Sequence, residues 1–432
     1  MMSKTNKLFY LIPFIIVIVF TGACSKKYKI VNGISGLYVP PLEIKDTLPK
    51  VLFCNTNLVR TDLPKEIIKP GIESIEEYFP LLSRKNIAVV TNQTGVINKQ
   101  HLVDFFIENN LKIIKVFSPE HGFRGNIDRG KEFSDSIDGK TGLPIIALYG
   151  KNKKPTATQL QDIDVVVFDI QDIGVRFFTY ISTLHYVMEA CAENGKHLVI
   201  LDRPNPLGDY VDGPVLKPQF KSFVGMHPIP VVHGLTVGEL ALMINGESWL
   251  ENGIKCNLTV IKAKNYTHSS KWSLFIKPSP NLPDDIAIRL YPSLCFFEAT
   301  EVSVGRGTLV PFKIIGYPDQ KFGDYSFTPH DITGMQTNPL HEGILCYGIN
   351  LQNEPPDQTF TLKYFLKFAD KFEKRADMIT RVNWFNLLAG NSELYRDIIN
   401  GLNESEIKKT WKKELDEYKL LRKKYLLYPD FE

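Results

Sequence analysis

Short apolar segments alternate with amphipathic segments between residues 85 and 201. The apolar segments contain five or six residues and are rich in β-branched side chains, which is typical of buried strands. They are Ile87–Thr91, Ile113–Phe117, Pro144–Tyr149, Val165–Ile170 and His197–Leu201. The segments between them that show helical spacing are His101–Glu108, Thr158–Ile163 and Tyr180–Asn194. Strands that are apolar along their whole length and alternate with helices predict a parallel sheet with both faces covered.

The same alternation predicts a Rossmann-like, doubly wound α/β domain over residues 71–235. A smaller C-terminal α/β domain is predicted over residues 236–432, and it begins with a helix at Thr236–Asn245. The last helix is predicted at Ser405–Tyr425, where apolar side chains fall on one face and Lys, Glu and Asp on the others. We expect this apolar face to dock on the rest of the protein.

The N-terminus has the pattern of an export signal. Met1–Lys7 is polar and positively charged, and Leu8–Phe20 is an unbroken apolar run. Thirteen apolar residues are too few to cross a bilayer, which takes about 20. Residues 1–23 are therefore predicted to be a signal peptide and not a transmembrane helix.

Cys24 follows the small residues Thr21, Gly22 and Ala23. This arrangement resembles the lipobox of bacterial lipoproteins, in which the cysteine thiol is diacylated. We therefore expect lipidation at Cys24, a tether over residues 24–70, and an exported protein that is anchored to a bacterial membrane and faces the periplasm. The other cysteines are odd in number and have no CxxC spacing, so they predict neither a disulfide framework nor a zinc site. They are Cys54, Cys191, Cys256, Cys295 and Cys346.

The charge balance argues against a nucleic-acid partner. The chain has 432 residues with 51 Lys and Arg against 48 Asp and Glu, a net charge of +3. Loss of Lys4 and Lys7 with the signal peptide leaves +1. Nucleic-acid-binding proteins carry a concentrated basic face, and this balance gives no support for one.

Polar residues suited to catalysis or binding follow four of the five predicted strands. In doubly wound sheets, ligands bind outside the carboxyl ends of the strands. One polar strand end would mean little, because Asp caps helices and polar loops are solvated, but four such ends predict a binding cleft. The candidates are Asn92, Glu120, His121, Arg124, Asp169, Asp172, Arg176, Tyr180, Asp202, Arg203 and Asn205.

Glu120, Asp169 and Asp172 supply carboxylates at two of these strand ends. The common strand order 3-2-1-4-5 places those ends two strands apart. Glycoside hydrolysis needs separated carboxyl groups, one to protonate the leaving oxygen and one to activate water, to attack, or to orient an assisting group. The arginines suit an anionic substituent on the sugar, because a guanidinium pairs with a carboxylate through two parallel hydrogen bonds. The aromatic residues within 177–180 offer sugar stacking, although helix packing explains at least two of the three.

Motifs for other chemistries are absent from the sequence. No GxGxxG follows the first strand, and no GxSxG or HExxH occurs. Gly125–Lys131 fits GxxxxGK, but Glu132 follows where a Ser or Thr is needed to bind magnesium. We therefore predict no cofactor and no metal, and an esterase or phosphatase is disfavoured.

Five motifs occur in order along the chain: Thr91–Val96, Ser118–Gly125, Phe168–Arg176, Leu201–Pro206 and Phe297–Thr308. With them the sequence resembles the exo-β-N-acetylmuramidase NamZ family, glycoside hydrolase family 171, over about residues 71–429. The resemblance implies a Rossmann-like domain and a smaller α/β domain with the cleft between them. It also implies release of single N-acetylmuramic acid (MurNAc) units from the non-reducing ends of peptidoglycan fragments.

The resemblance also implies residue roles. Glu120, in the Pro-Glu-His-Gly motif, corresponds to the proposed catalytic glutamate, and its partner is Asp169, Asp172 or Glu298. The lactyl carboxylate of MurNAc has four candidate partners, which the sequence does not rank: Arg124, Arg176, Arg203 and Arg306. A retaining, an inverting and a substrate-assisted mechanism all stay open.

The sequence departs from the family pattern at two positions. Val304 stands where many members have Glu, which leaves Glu298 and Glu301 as the acids of that motif, and Ala299 stands where many have Gly. A non-catalytic lipoprotein that binds muropeptides and feeds a transporter is the alternative function. It would need arginines and aromatic residues but no rigidly placed Glu120.

Overall fold

The computed structural model describes residues 67–124, 134–355 and 358–432. The predicted signal peptide, Cys24 and the Gly125–Lys131 segment lie outside the described residues. So does the predicted tether, except for residues 67–70. No helix within these ranges is long and apolar enough to cross a membrane.

The strands include all five that the sequence predicts, with ends that differ by at most two residues. They are β1 (Asn86–Thr91), β2 (Val96–Ile97), β3 (Gln100–His101), β4 (Lys112–Ser118), β5 (Ser136–Ile137), β6 (Pro144–Ala147), β7 (Val165–Asp169), β8 (His197–Leu201), β9 (Leu258–Ile261), β10 (Ile314–Tyr317), β11 (Tyr325–Phe327) and β12 (Cys346–Asn350).

The helices likewise include the predicted ones. They are α1 (Ile75–Leu82), α2 (Leu102–Glu108), α3 (Ala157–Leu160), α4 (Tyr180–Glu193), α5 (Val237–Gly246), α6 (Asp285–Leu294), α7 (Lys363–Ala369), α8 (Arg375–Met378), α9 (Val382–Ala389), α10 (Glu393–Ile399) and α11 (Glu404–Arg422). A 3-10 helix at Cys295–Ala299 continues α6.

Seven strands form the central sheet in the order β5-β6-β4-β1-β7-β8-β9. All neighbours are parallel except β5 and β6. The five predicted strands therefore have the order 3-2-1-4-5, and the doubly wound α/β prediction is confirmed. The winding reverses between β1 and β7, where Thr91 pairs with Asp169. The division predicted between residues 235 and 236 stays a prediction, and β9 continues the sheet past it.

Both faces of the sheet are buried, as the continuous apolar strands predict. Along β1, Ala88 and Val90 contribute to one apolar cluster, and Ile87 and Val89 contribute to the other. Helices α1 and α2 cover the second face, and α3, α4 and α5 cover the first. The first cluster continues without a break into α6, α7, α9 and α11. One apolar core thus joins the sheet to the C-terminal part, which adds the antiparallel sheet β10-β12-β11.

Helix α11 docks on the sheet domain through its predicted apolar face. Ile407, Trp411 and Tyr418 are buried, and the Tyr418 hydroxyl donates to the carbonyl oxygen of His233 at 2.7 Å. Arg422 at its end is also buried and pairs with Asp430 through two bonds of 2.9 Å. The docking prediction is confirmed.

Buried polar networks tie the carboxyl ends of the central strands together. Asp169, at the end of β7, is fully buried and pairs with Arg203 beyond β8 through Nε–Oδ1 and Nη2–Oδ2 contacts of 2.5 and 2.9 Å. Asp202 accepts hydrogen bonds from Thr236, Tyr428 and the Gly238 amide at 2.6 to 2.8 Å. Because each carboxylate is desolvated, these bonds are needed to keep it in the folded protein.

Asp172 is less well satisfied than the other two carboxyl groups. Its Oδ2 accepts from the Gly174 amide at 2.7 Å, whereas its buried Oδ1 has no hydrogen-bond partner among the described residues. His233 Nε2 lies 3.8 Å from Oδ2, but burial lowers the pKa of His233 to about 3, so the ring is neutral. Burial without a charged partner raises the pKa of Asp172 from 3.8 to about 7.

This raised pKa predicts a pH dependence of stability that Asp172→Asn removes. A carboxyl group whose pKa is higher in the folded state contributes stability below pH about 4, and loses it as the pH rises to about 7. Asparagine stays neutral throughout. The free energy of unfolding of the variant, relative to the unmodified protein, should therefore rise between these pH values in urea titrations. The control is Asp324→Asn, which removes an exposed carboxylate. A difference that does not change with pH for Asp172→Asn would contradict the assignment.

Candidate functional site

A cavity of about 530 Å³ opens at the carboxyl end of the central sheet, where the strand-end rule predicts a ligand. The loops after β4, β6 and β7 form one wall. Other lining residues come from the C-terminal part, namely from α6, the 3-10 helix that continues it, and α9. The residues that line the whole cavity include Glu120, His121, Tyr149, Lys153, Phe178, Thr179, Tyr180, Phe223, Ser279, Asn281, Tyr291, Glu298, Arg306, Gln336 and Trp384.

Glu120 projects from a tight turn directly after β4. The Gly122 amide donates to the Pro119 carbonyl oxygen at 3.1 Å, and His121 between them has a φ of 72°. Few side-chain-bearing residues adopt such a positive φ, and those that do cluster at functional sites. Glu120 is half-buried, and its Oε2 accepts a hydrogen bond from the Thr179 hydroxyl at 3.0 Å. A rigid turn and a hydrogen bond together orient this carboxyl group.

His121 is buried beside Glu120 and faces the segment before α6. Its Nε2 lies 3.2 Å from Ser279 Oγ. The same Oγ accepts a hydrogen bond from the backbone amide of Asn281 at 3.3 Å. Tyr180 is held from the same segment, because its hydroxyl donates to the Pro278 carbonyl oxygen at 3.0 Å. Burial and the nearby Glu120 carboxylate raise the pKa of Tyr180, so the phenol keeps its proton. The two predicted residues therefore line the cavity and connect its walls.

Glu298 and Arg306 line the cavity from the C-terminal part of the chain. Arg306 Nη2 and Nε lie 2.5 and 3.2 Å from Glu298 Oε1, and the guanidinium sits 4.8 Å above the centre of the Phe312 ring. Gly305 and Gly307 on either side of Arg306 have φ values of 74° and 80°, which explains the Gly-Arg-Gly sequence. The motif thus builds a tight loop that presents one arginine to one glutamate.

The aromatic residues of the cavity divide into two groups. Phe177 and Phe178 are buried and pack edge-to-face against Tyr291, with ring centroids 5.4 and 6.1 Å apart, as the helix-packing interpretation predicts. Trp384 on α9 and Phe223 are only half-buried. These two offer flat surfaces of the kind that sugars pack against.

Eight predicted site residues do not line the cavity. Buried partners hold Asp169, Asp172, Asp202 and Arg203 as described above. The remaining four are bound to the protein's own groups: Asn92 to Thr94, Arg124 to Asp138, Arg176 to the carbonyl oxygens of Pro214, Ile229 and Leu388, and Asn205 to Leu207 and Leu235. These positions give no support to the predicted contacts with substrate. The physical reason is that polar side chains at the strand ends bind other groups of the protein, and seven of the eight residues, all except Arg124, are buried there.

Several lining residues were missed from the sequence. Lys153 follows β6, the one predicted strand that contributed no candidate site residue. Phe223, Asn281, Gln336 and Trp384 lie far from any predicted strand end, and tertiary packing alone brings them to the cavity. Of these, only the position of Lys153 carried a signal in the sequence.

A second cavity of about 500 Å³ adjoins the first. The two share Glu298, Arg306, Gln336 and Trp384 as lining residues. Glu298 and Arg306 therefore stand between two compartments, with Glu120 in the first.

One group of side chains in the described part of the chain has metal-ligand spacing. Oxygen atoms of Glu189, Glu193 and Glu251 lie within 4.8 Å of one another. Lys154 Nζ already contacts two of these carboxylates, at 2.7 Å from Glu189 and 2.6 Å from Glu193. This group lies outside the cavity lining, and we assign it a structural role.

Comparisons with known proteins agree with the resemblance. The family models described as exo-β-N-acetylmuramidase NamZ, N-terminal and C-terminal, match residues 87–286 and 289–428. The peptidoglycan β-N-acetylmuramidase NamZ of Bacillus subtilis (strain 168) is 37% identical over 393 residues, which cover 84% of this chain and 92% of that protein.

Two solved structures share the fold. Both are DUF1343 family proteins from Bacteroides fragilis NCTC 9343, with TM-scores of 0.79 and 0.72 and sequence identities of 44% and 32%. Each covers 84% of this chain, and the matches span 100% and 99% of those chains. Sequence and fold therefore agree over nearly all of the described residues, and the chain belongs to the exo-β-N-acetylmuramidase NamZ family.

Proposed function

We propose that this protein is an exo-acting β-N-acetylmuramidase, a glycoside hydrolase that releases terminal MurNAc from the non-reducing ends of peptidoglycan fragments. The observation that supports the proposal is that Glu120, directly after β4, and Glu298, in the 3-10 helix that continues α6, line one cavity in a chain of the NamZ family. Most glycoside hydrolases use two carboxyl groups that act on one glycosidic bond.

Glu120 acts as the general acid that protonates the leaving oxygen. The Thr179 hydroxyl occupies Oε2 and thereby fixes the rotation of the carboxyl group. Glu298 is the second carboxyl group, and Arg306 orients it through Oε1. Asp169 and Asp172, the other predicted partners, do not line the cavity. Glu298 either activates water, attacks the anomeric carbon or orients the substrate's acetamido group.

The two compartments suit a substrate longer than one sugar. The first cavity holds the terminal MurNAc beside Glu120, and the adjoining cavity provides room for the sugar that leaves. Trp384 lines both compartments and offers its ring to either sugar. A binding protein that only delivers muropeptides would need the aromatic residues and the cations, but not a glutamate fixed in a strained turn.

We also propose that the protein is a lipoprotein, exported and anchored through Cys24 to a bacterial membrane on its periplasmic side. The support is the charged, apolar and small-residue order of residues 1–23 directly before this cysteine. An anchor of this kind keeps the enzyme next to the peptidoglycan from which its substrates come.

Replacement of Cys24 by Ser should abolish lipidation. Cells expressing the protein and supplied with labelled palmitate should incorporate label into the protein, whereas the Cys24→Ser variant should carry none and leave the membrane fraction. The matched control is Cys54→Ser, which should keep both label and membrane attachment. Undiminished labelling of Cys24→Ser would contradict the lipoprotein proposal.

Replacement of Glu120 by Gln should lower kcat by roughly a hundredfold or more on a 4-nitrophenyl β-MurNAc glycoside, because the variant has no proton to give. Activity is measured by release of the chromophore from purified protein without the anchor segment. The control is Glu108→Gln on the exposed end of α2, which should keep full activity.

A second leaving group separates general-acid catalysis from simple damage to the site. The 2,4-dinitrophenolate group is so weakly basic that it leaves without being protonated. Glu120→Gln should therefore lose much less activity on the 2,4-dinitrophenyl glycoside than on the 4-nitrophenyl glycoside. Equal losses on both substrates would remove Glu120 from the role of acid, and full activity on both would remove it from the mechanism.

A further inference from the structure

A MurNAc-specific enzyme must recognise a single negative charge. MurNAc and N-acetylglucosamine differ only by the lactyl group on the C3 oxygen, which ends in a carboxylate. A protein selects for such a group by placing a cation where the carboxylate will lie. This inference rests on the proposed function and identifies the residue that carries its selectivity.

The four arginines predicted for this role are already bound within the protein. Arg176 is fully buried, and its Nη1 and Nη2 atoms donate to three backbone carbonyl oxygens at 2.7 to 2.8 Å. The other three pair with carboxylates: Arg124 with Asp138, Arg203 with Asp169 and Arg306 with Glu298. Of the four, only Arg306 lines the cavity, and its carboxylate partner belongs to the proposed catalytic pair.

Lys153 is the other Lys or Arg among the described residues that line the first cavity. It is half-buried, and in the described ranges it forms no ion pair. Its ammonium group lies 5.0 Å from the centre of the Phe223 ring, an attraction that holds the cation without neutralising it. The neighbouring Lys154 differs, because Glu189 and Glu193 bind it. Lys153 therefore brings to the cavity a positive charge that forms no ion pair with any described residue.

The ring beneath Lys153 is itself held in place. Tyr149 meets Phe223 edge-on with centroids 6.1 Å apart, and Tyr186 stacks against it at 6.3 Å. The Ser182 hydroxyl donates to the Phe223 carbonyl oxygen at 2.7 Å. These contacts limit where the ammonium group can lie, which lowers the entropy lost when a ligand binds it.

Lys153 lines the same cavity as Glu120. Lys153 follows β6 and Glu120 follows β4, and the two strands are neighbours in the sheet. Adjacent parallel strands lie about 4.8 Å apart, so the loops that carry the acid and the ammonium group start from neighbouring positions. In MurNAc, the leaving oxygen on C1 and the lactyl ether on C3 are attached to ring carbons two bonds apart, so both groups belong to one end of the sugar. The flexible four-carbon stem of lysine lets the ammonium group adjust its position to the carboxylate.

We propose that Lys153, held against Phe223, binds the lactyl carboxylate and makes the site select MurNAc over N-acetylglucosamine. Lysine serves here as a compact point charge, and no bidentate geometry is required.

The test crosses a change in the protein with a change in the substrate. Lys153→Met and the matched control Lys151→Met, a nearby exposed lysine outside the cavity lining, are assayed on two chromogenic glycosides. One is β-MurNAc and the other is its lactyl carboxamide, which has the same shape without the charge. Lys153→Met should lose roughly tenfold to a hundredfold in kcat/KM on MurNAc, mainly through KM, and change little on the carboxamide. Lys151→Met should match the unmodified protein on both.

A conservative variant guards against misfolding. Lys153→Arg keeps the charge and should recover most of the activity on MurNAc. Equal losses for Lys153→Met on both substrates, or no loss on either, would overturn the proposal. Failure of the unmodified protein to cleave MurNAc glycosides would refute the proposed function instead. In that case, calorimetric binding of free MurNAc and its carboxamide to the same variants still tests Lys153.

Discussion

The structure depends on one constraint, which is that polar groups buried at the carboxyl ends of the parallel strands must be hydrogen-bonded within the protein. The Asp169–Arg203 pair, the Asp202 network and the carbonyl oxygens around Arg176 satisfy this constraint. They also connect distant parts of the chain. Asp202 reaches Tyr428 near the C-terminus, and Arg176 reaches the last turn of α9. Arg176, which does not line the cavity itself, thereby connects the loop after β7 to Leu388, which does.

This constraint leaves few side chains for chemistry. Glu120 reaches the cavity because its turn lifts it off the end of β4, and Glu298 reaches it from a different element altogether. Each carboxyl group has a neighbour that orients it, a hydroxyl for Glu120 and a guanidinium for Glu298. Lys153 adds a cation held against an aromatic ring. Glycoside hydrolysis uses an acid and a second carboxyl group, and selection for an anionic sugar needs a cation.

The sheet was predictable because buried parallel strands are apolar along their whole length, and that pattern is local. Strand β9 was missed since Leu258–Ile261 is short and only partly buried. The cavity position followed from the strand order. Its composition did not, because sequence position places Asp169 and Arg203 at a strand end without showing that they face each other. Phe223 and Trp384 come from segments that only the tertiary fold brings together, so no local pattern points to them.

The central claim is that the protein cleaves the bond between a terminal MurNAc and the next sugar, with the substrate bound in the cavity that Glu120 lines. Mass analysis of products after incubation with the disaccharide MurNAc-N-acetylglucosamine tests it most directly. The account predicts free MurNAc and free N-acetylglucosamine in equal amounts with the unmodified protein, and intact disaccharide with Glu120→Gln. Tight binding of the disaccharide by the unmodified protein without any cleavage would contradict it.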